Sequence, residues 1–126
     1  MARKPRKPKN WLQVAVANAG FRKAYRAVMW AVSWAIAQEA LGHDPSVEEV
    51  AKWWELPRRT AFSEQQAFRE AFPTLLTPAL MFESSVAQRK IKDLVRRIKD
   101  IEKLRGGSSI ELEKLALEIA MMHASG

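Results

Sequence analysis

The sequence predicts an all-α fold, in which a three-helix core is followed by a long helix and a C-terminal helical hairpin. Three observations carry that expectation. Apolar residues recur at steps of three and four through most of the chain, and no segment alternates with the period of two that a half-buried strand needs. Start signals recur: Ser46 and Ser108 each have a glutamate three residues on, and Pro57 and Thr77-Pro78 suit first turns. Stop signals follow them, with Gly42 and Gly106-Gly107 ending the helical patterns. At 126 residues and 48% apolar content, the chain has material for one hydrophobic core.

The organisation reads as an arm over residues 1–10, a core unit over 11–76 and a hairpin over 77–126. The arm holds Arg3, Lys4, Arg6, Lys7 and Lys9, with prolines at 5 and 8 and almost nothing apolar. Such a segment buries too little to fold and is expected to be disordered. Basic arms either enter a DNA minor groove or serve as solubilising tails, and both roles stay open.

From Trp11 to Leu41 the pattern is helical, with Asn18-Ala19-Gly20 as its weak point. Ala27–Ala37 is apolar nearly all round, the mark of a helix enclosed by others. Trp30 and Trp34 lie one turn apart and should share a core face. His43-Asp44-Pro45 is a turn. The next helix, about 46–55, turns Val47, Val50, Ala51 and Trp54 inward; the one after it, about 58–72, turns Ala61, Phe68 and Phe72 inward with Phe62 beside them. Pro73 ends it.

Thr77 opens a pattern that reads as one helix to Arg105. Its seam is weak at Leu80, Ser84 and Ala87 and clear at Ile91, Leu94, Ile98 and Ile101. A final helix carries Leu112, Leu115, Ile119 and Met122 at matching steps. An isolated hairpin leaves such seams uncovered, so these eight residues are expected to mediate a homodimer or a higher homo-oligomer.

The net charge of +7 is unevenly spread: +5 in residues 1–10, −1 in 11–83, and +3 in 84–126, of which 84–105 alone holds +5. A basic balance favours polyanionic partners, because neutralising phosphates releases counterions. Several function classes lose their chemistry. There is no cysteine, and His43 and His123 are eighty residues apart, which leaves no disulfide and no Cys/His zinc set. No glycine-rich phosphate loop is present, and neither histidine lies in a nucleophile motif. Neither an enzyme nor a cofactor is expected. The longest apolar stretch, Ala27–Ala37, is eleven residues against the ~20 of a membrane span, and no secretion signal is visible. A soluble, cytoplasmic protein without a membrane partner is expected.

Residues 46–72, SVEEVAKWWELPRRTAFSEQQAFREAF, resemble the helix-turn-helix DNA-binding proteins of bacteria and phages. Val50-Ala51 matches the small-residue position of the family's first helix, Trp54 stands where leucine is usual, and Leu56 is the apolar residue after the turn. Glu55 replaces the usual turn glycine, and Arg58-Arg59-Thr60-Ala61 resembles the opening of a recognition helix. The resemblance implies a sequence-specific binder of double-stranded DNA, such as a transcriptional regulator. Arg59, Ser63 and Gln66 would contact bases; Lys52, Arg58, Thr60 and Arg69, together with Arg3, Lys4, Arg6 and Lys7 of the arm, would contact the backbone. Two alternatives stand beside it: a helical protein–protein interaction module, antitoxin- or inhibitor-like, and a phage-type DNA-packaging recognition subunit. RNA is less favoured, since the basic segments lack aromatics for base stacking.

Overall fold

Small side chains run along the first helix, and neighbouring helices approach it closely there. The chain forms α1 (Trp11–Leu41), α2 (Val47–Trp54), α3 (Arg58–Ala71), a 3-10 turn (Pro78–Phe82), α4 (Ser85–Arg97) and α5 (Ile110–Ala120). This computed structural model describes residues 10–97, 110–122 and 124. Among them there is no strand, and no helix is long and apolar enough to cross a membrane.

α1 is the central element. Ala24, Ala27, Val28, Trp30, Ala31, Val32, Trp34, Ala35, Ile36 and Ala37 are all buried, and α3, α4, α5 and the 3-10 turn pack around them. Each buried indole N–H is satisfied. Trp30 donates to Gln65 Oε1 (2.7 Å), Trp34 to Asp44 Oδ1 (3.2 Å) and Trp54 to the Ser33 carbonyl (2.8 Å). Aromatic bulk is therefore buried without leaving a polar orphan. Trp30 and Trp34 meet edge to face at 6.0 Å, as their spacing predicts.

α1 bends at Gly20, whose φ of 82° and ψ of 166° lie outside the helical region. The preceding segment is thereby laid across the ends of α3 and α5. Asn18 Nδ2 donates to the Ala71 carbonyl (2.9 Å), serving an otherwise unpaired group in the last turn of α3. Trp11 packs edge to face on Phe72 at 5.7 Å, and its backbone N–H donates to the Met122 carbonyl (3.3 Å).

The helix expected from Thr77 onward is interrupted. Pro78–Phe82 winds as a 3-10 turn that buries Pro78, Met81 and Phe82. Ser84 then accepts from the Ala87 N–H (3.1 Å) and caps a separate helix, α4. The expected continuation to Arg105 and the Gly106-Gly107 turn lie outside the described residues.

The C-terminal seams are also used differently from the expectation. Ile91, Leu94, Leu112, Leu115 and Ile119 are buried in the same hydrophobic cluster as the α1 residues. Met122 is half-buried, and Ile98 and Ile101 lie outside the described residues. α4 and α5 each pack on α1, with Lys90 bridging to Glu118 (2.7 Å). Exposure of these five side chains, the premise for self-association through them, is absent. The core runs unbroken across the division between 11–76 and 77–126.

Two predictions follow from local geometry. An alanine Cβ at Gly20 meets no atom within 4 Å, so only the backbone penalises substitution. Gly20→Ala should lower stability by about 1–3 kcal/mol in urea denaturation, and an unchanged midpoint would mean that the bend is not required. In the turn before α2, His43 Nε2 lies 2.7 Å from Glu49 Oε2. The hydrogen bond and charge of Glu49 raise the histidine above 6.5, while those of His43 hold Glu49 below 4.5. The pair's contribution is complete between pH 4.5 and 6.5; it fades as pH rises through the raised histidine value or falls through the lowered glutamate value. An NMR titration should place the His43 midpoint above 6.5, and Glu49→Gln should bring it back toward that value.

Candidate nucleic-acid interface

α2 is short and strongly punctuated. Ser46 Oγ accepts from the Glu49 N–H (3.2 Å), and Glu49 Oε1 accepts from the Ser46 N–H (3.1 Å), forming the capping box its sequence predicts. At the other end Glu55 adopts φ 58° and ψ 41°, the left-handed conformation in which glycine is favoured. The Leu56 N–H then reaches back to the Ala51 carbonyl (2.8 Å), and that of Glu55 to the Lys52 carbonyl (3.2 Å). These bonds close the turn in the Schellman manner despite the side chain at Glu55. Pro57 follows with extended backbone, and the Ala61 N–H donates to its carbonyl (3.1 Å) as α3 begins.

α3 buries Ala61, Ala67, Phe68 and Ala71 against the rest of the chain and leaves a long polar face in solvent. Arg59, Ser63 and Gln66, the residues expected to contact bases, are all exposed on it. Lys52, Arg58, Thr60 and Arg69, expected to contact the backbone, are exposed as well. Arg59, Gln66, Arg69 and Lys52 make no ion pair among the described residues. Two of the expected contacts are not free. Arg26 donates to Ser63 Oγ (2.9 Å), and Arg58 bridges to Glu48 (2.9 Å). Arg58 remains mostly in water, where such a pair is weak and readily exchanged. Arg3, Lys4, Arg6 and Lys7 lie outside the described residues.

Cations on α1 compensate the acids of α3, a pairing that linear reading misses. Lys23 bridges to Glu70 (2.9 Å), and Arg26 directs two N–H groups at Glu64 Oε1 (3.0 and 2.8 Å). With Glu48 paired to Arg58, three carboxylates beside this face are each countered. Within the near-neutral central segment these pairs form a rim, and Arg59 and Arg69 make no ion pair among the described residues. The signal that finds this is the i to i+3 spacing of Lys23 and Arg26, which places both on one side of α1.

Phe62 also departs from its expected place. Phe62 is 44% exposed, with the Arg58 guanidinium 5.2 Å from its ring centroid. A second apolar exposure lies elsewhere, along the α1–α5 seam. Phe21 is 65% exposed one turn before Tyr25, whose hydroxyl donates to Glu113 of α5. That hydrogen bond, with burial and the carboxylate charge, raises the tyrosine above its ordinary value. Leu117 and Met121, one and two turns after Glu113, are exposed in the same region.

Among the described residues no group of three or more His, Asp or Glu side chains is arranged to hold a metal ion. No protein-family model, curated protein or solved structure matches the chain.

Proposed function

We propose that this protein is a small sequence-specific binder of double-stranded DNA, acting as a transcriptional regulator, in which α2, the Glu55 turn and α3 serve as a helix-turn-helix and α3 enters the major groove. The observation that carries this reading is the solvent face of α3. Arg59, Gln66 and Arg69 stand open on it, while Glu64, Glu70 and the neighbouring Glu48 are each tied to a cation. Arg59 suits guanine O6/N7 and Gln66 suits adenine N6/N7, each as a bidentate contact. Lys52, Thr60 and Arg69 flank them and suit phosphates, with Arg58 available once it exchanges Glu48 for a phosphate oxygen. The basic arm adds Arg3, Lys4, Arg6 and Lys7, whose charge strengthens binding to any sequence.

The test is enrichment of a random duplex library by the purified protein at near-physiological salt, alongside Arg59→Ala/Gln66→Ala. Wild type should select a defined motif. The double variant should lose it and retain only salt-sensitive binding, each lost bidentate contact costing about 1–3 kcal/mol of discrimination. Binding without any motif would leave only electrostatic attraction and end the regulator reading.

Self-association belongs to the same proposal, on a different surface from the buried seam. The exposed row of Phe21, Leu117 and Met121 offers apolar area for a second copy, and two-fold pairing would present two α3 helices to successive half-sites. Sedimentation should show dimers that Phe21→Asp converts to monomers with the fold intact. A wild type that sediments as a monomer at every workable concentration would remove this part. The same surface favours an interaction module as the second reading, under which Phe21→Asp abolishes function while Arg59→Ala/Gln66→Ala does not.

A further inference from the structure

α3 carries an exposed aromatic ring where a purely phosphate-binding helix has no use for one. At 100° per residue, Arg59, Phe62, Gln66 and Arg69 fall within an arc of about 80°. Phe62 sits among three polar, water-facing side chains and is itself 44% exposed. The Arg58 guanidinium, in an exposed pair with Glu48 at 2.9 Å, stands 5.2 Å from the ring centroid. A guanidinium over a ring face contributes attraction of its own and restrains the ring. The phenyl group is therefore a presented apolar surface between two groups of hydrogen-bonding capacity, Arg59 before it and Gln66 after it.

In the major groove the apolar feature of a base pair is the C5-methyl of thymine, and phenylalanine is among the side chains suited to contact it. We infer that Phe62 is a specificity-determining residue that reads a thymine methyl between the base pairs engaged by Arg59 and Gln66. The inference rests on the DNA-reading role proposed for α3. Along the helix axis, Phe62 lies about 4.5 Å beyond Arg59 and about 6 Å before Gln66. Each separation matches one to two base-pair steps of about 3.4 Å, so the thymine falls one or two positions from each neighbour. The ring makes the contact, and Arg58 beside it remains available to a phosphate. The chemistry also separates DNA from RNA, because uracil lacks this methyl.

The experiment uses the full chain and the duplex motif it selects, with each thymine replaced singly by 2′-deoxyuridine and affinity read by fluorescence anisotropy at fixed salt. One replacement should weaken the wild type about fourfold, the worth of one methyl group removed from water. Phe62→Ala, with a thermal melt matching wild type, should bind thymine and deoxyuridine forms equally. Phe62→Leu should restore part of the preference. A selected motif in which no thymine replacement matters, or an equal loss in Phe62→Ala, would overturn the role of Phe62 and leave DNA reading by α3 intact. Failure to select any motif would overturn both.

Discussion

The constraint on which the fold depends is the need to enclose α1. Its stretch from Ala27 to Ala37 has no polar face to offer water, so other helices must cover it from several sides. α3 covers one side with Ala61, Phe68 and Ala71, and α4 and α5 add Ile91, Leu94, Leu115 and Ile119. Burial of a side chain of that size is worth about 1.5–3 kcal/mol, far more than any exposed ion pair in the structure. Packing therefore decides the arrangement, and the charges follow it. Because α3 has only one apolar stripe, docking it on α1 leaves its polar face outward, and the candidate interface is a consequence of the core.

The same docking settles the electrostatics of that face. Lys23 and Arg26 leave the buried stripe of α1 at its edge and meet the flank of α3, where Glu70 and Glu64 stand. Neither pair contributes much stability, since all four side chains keep contact with water. Their effect is on the field outside the helix. Two carboxylates that would oppose a phosphate backbone are countered from behind, and Arg59 and Arg69 are left uncountered in front.

What was legible in the sequence divides along local and long-range lines. Caps, turns and apolar periods are local, and Ser46, Gly42, Pro57 and the stripes of α2 and α3 were readable from neighbouring residues alone. The bend at Gly20 was readable as a weak point but not as a fixed angle, because the Asn18–Ala71 hydrogen bond that holds it spans 53 positions. The seam of Ile91 and Leu94 is legible as apolar, but periodicity names the face to be covered and not what covers it, which here is α1. The long helix from Thr77 fails for a different reason: the Ser84 hydroxyl caps a fresh start by accepting from the Ala87 N–H, a side-chain contact that the apolar period does not register. The exposure of Phe62 and the partners of Lys23 and Arg26 are set by the third dimension, which the linear pattern only borders.

Two residues with positive φ bear on the two ends of α3, and this bears on how the candidate surface is kept rigid. Glu55 sets the direction in which the chain leaves α2, at a cost of about 1–2 kcal/mol for a left-handed residue with a side chain. The backbone bonds from Leu56 and Glu55 into the last turn of α2 offset that cost. Gly20 carries the other bend without a Cβ to oppose it, and through Asn18 it anchors the carbonyl of Ala71 at the far end of the helix. An element tied at both termini and packed along its length on α1 has little freedom to tilt. Side chains projecting from its outer face are then held in register with one another before any ligand arrives, which lowers the ordering cost of binding. The strain at Glu55 is thus placed where relaxing it would change the angle of α3, and retaining it fixes the spacing of Arg59, Phe62 and Gln66 relative to the core.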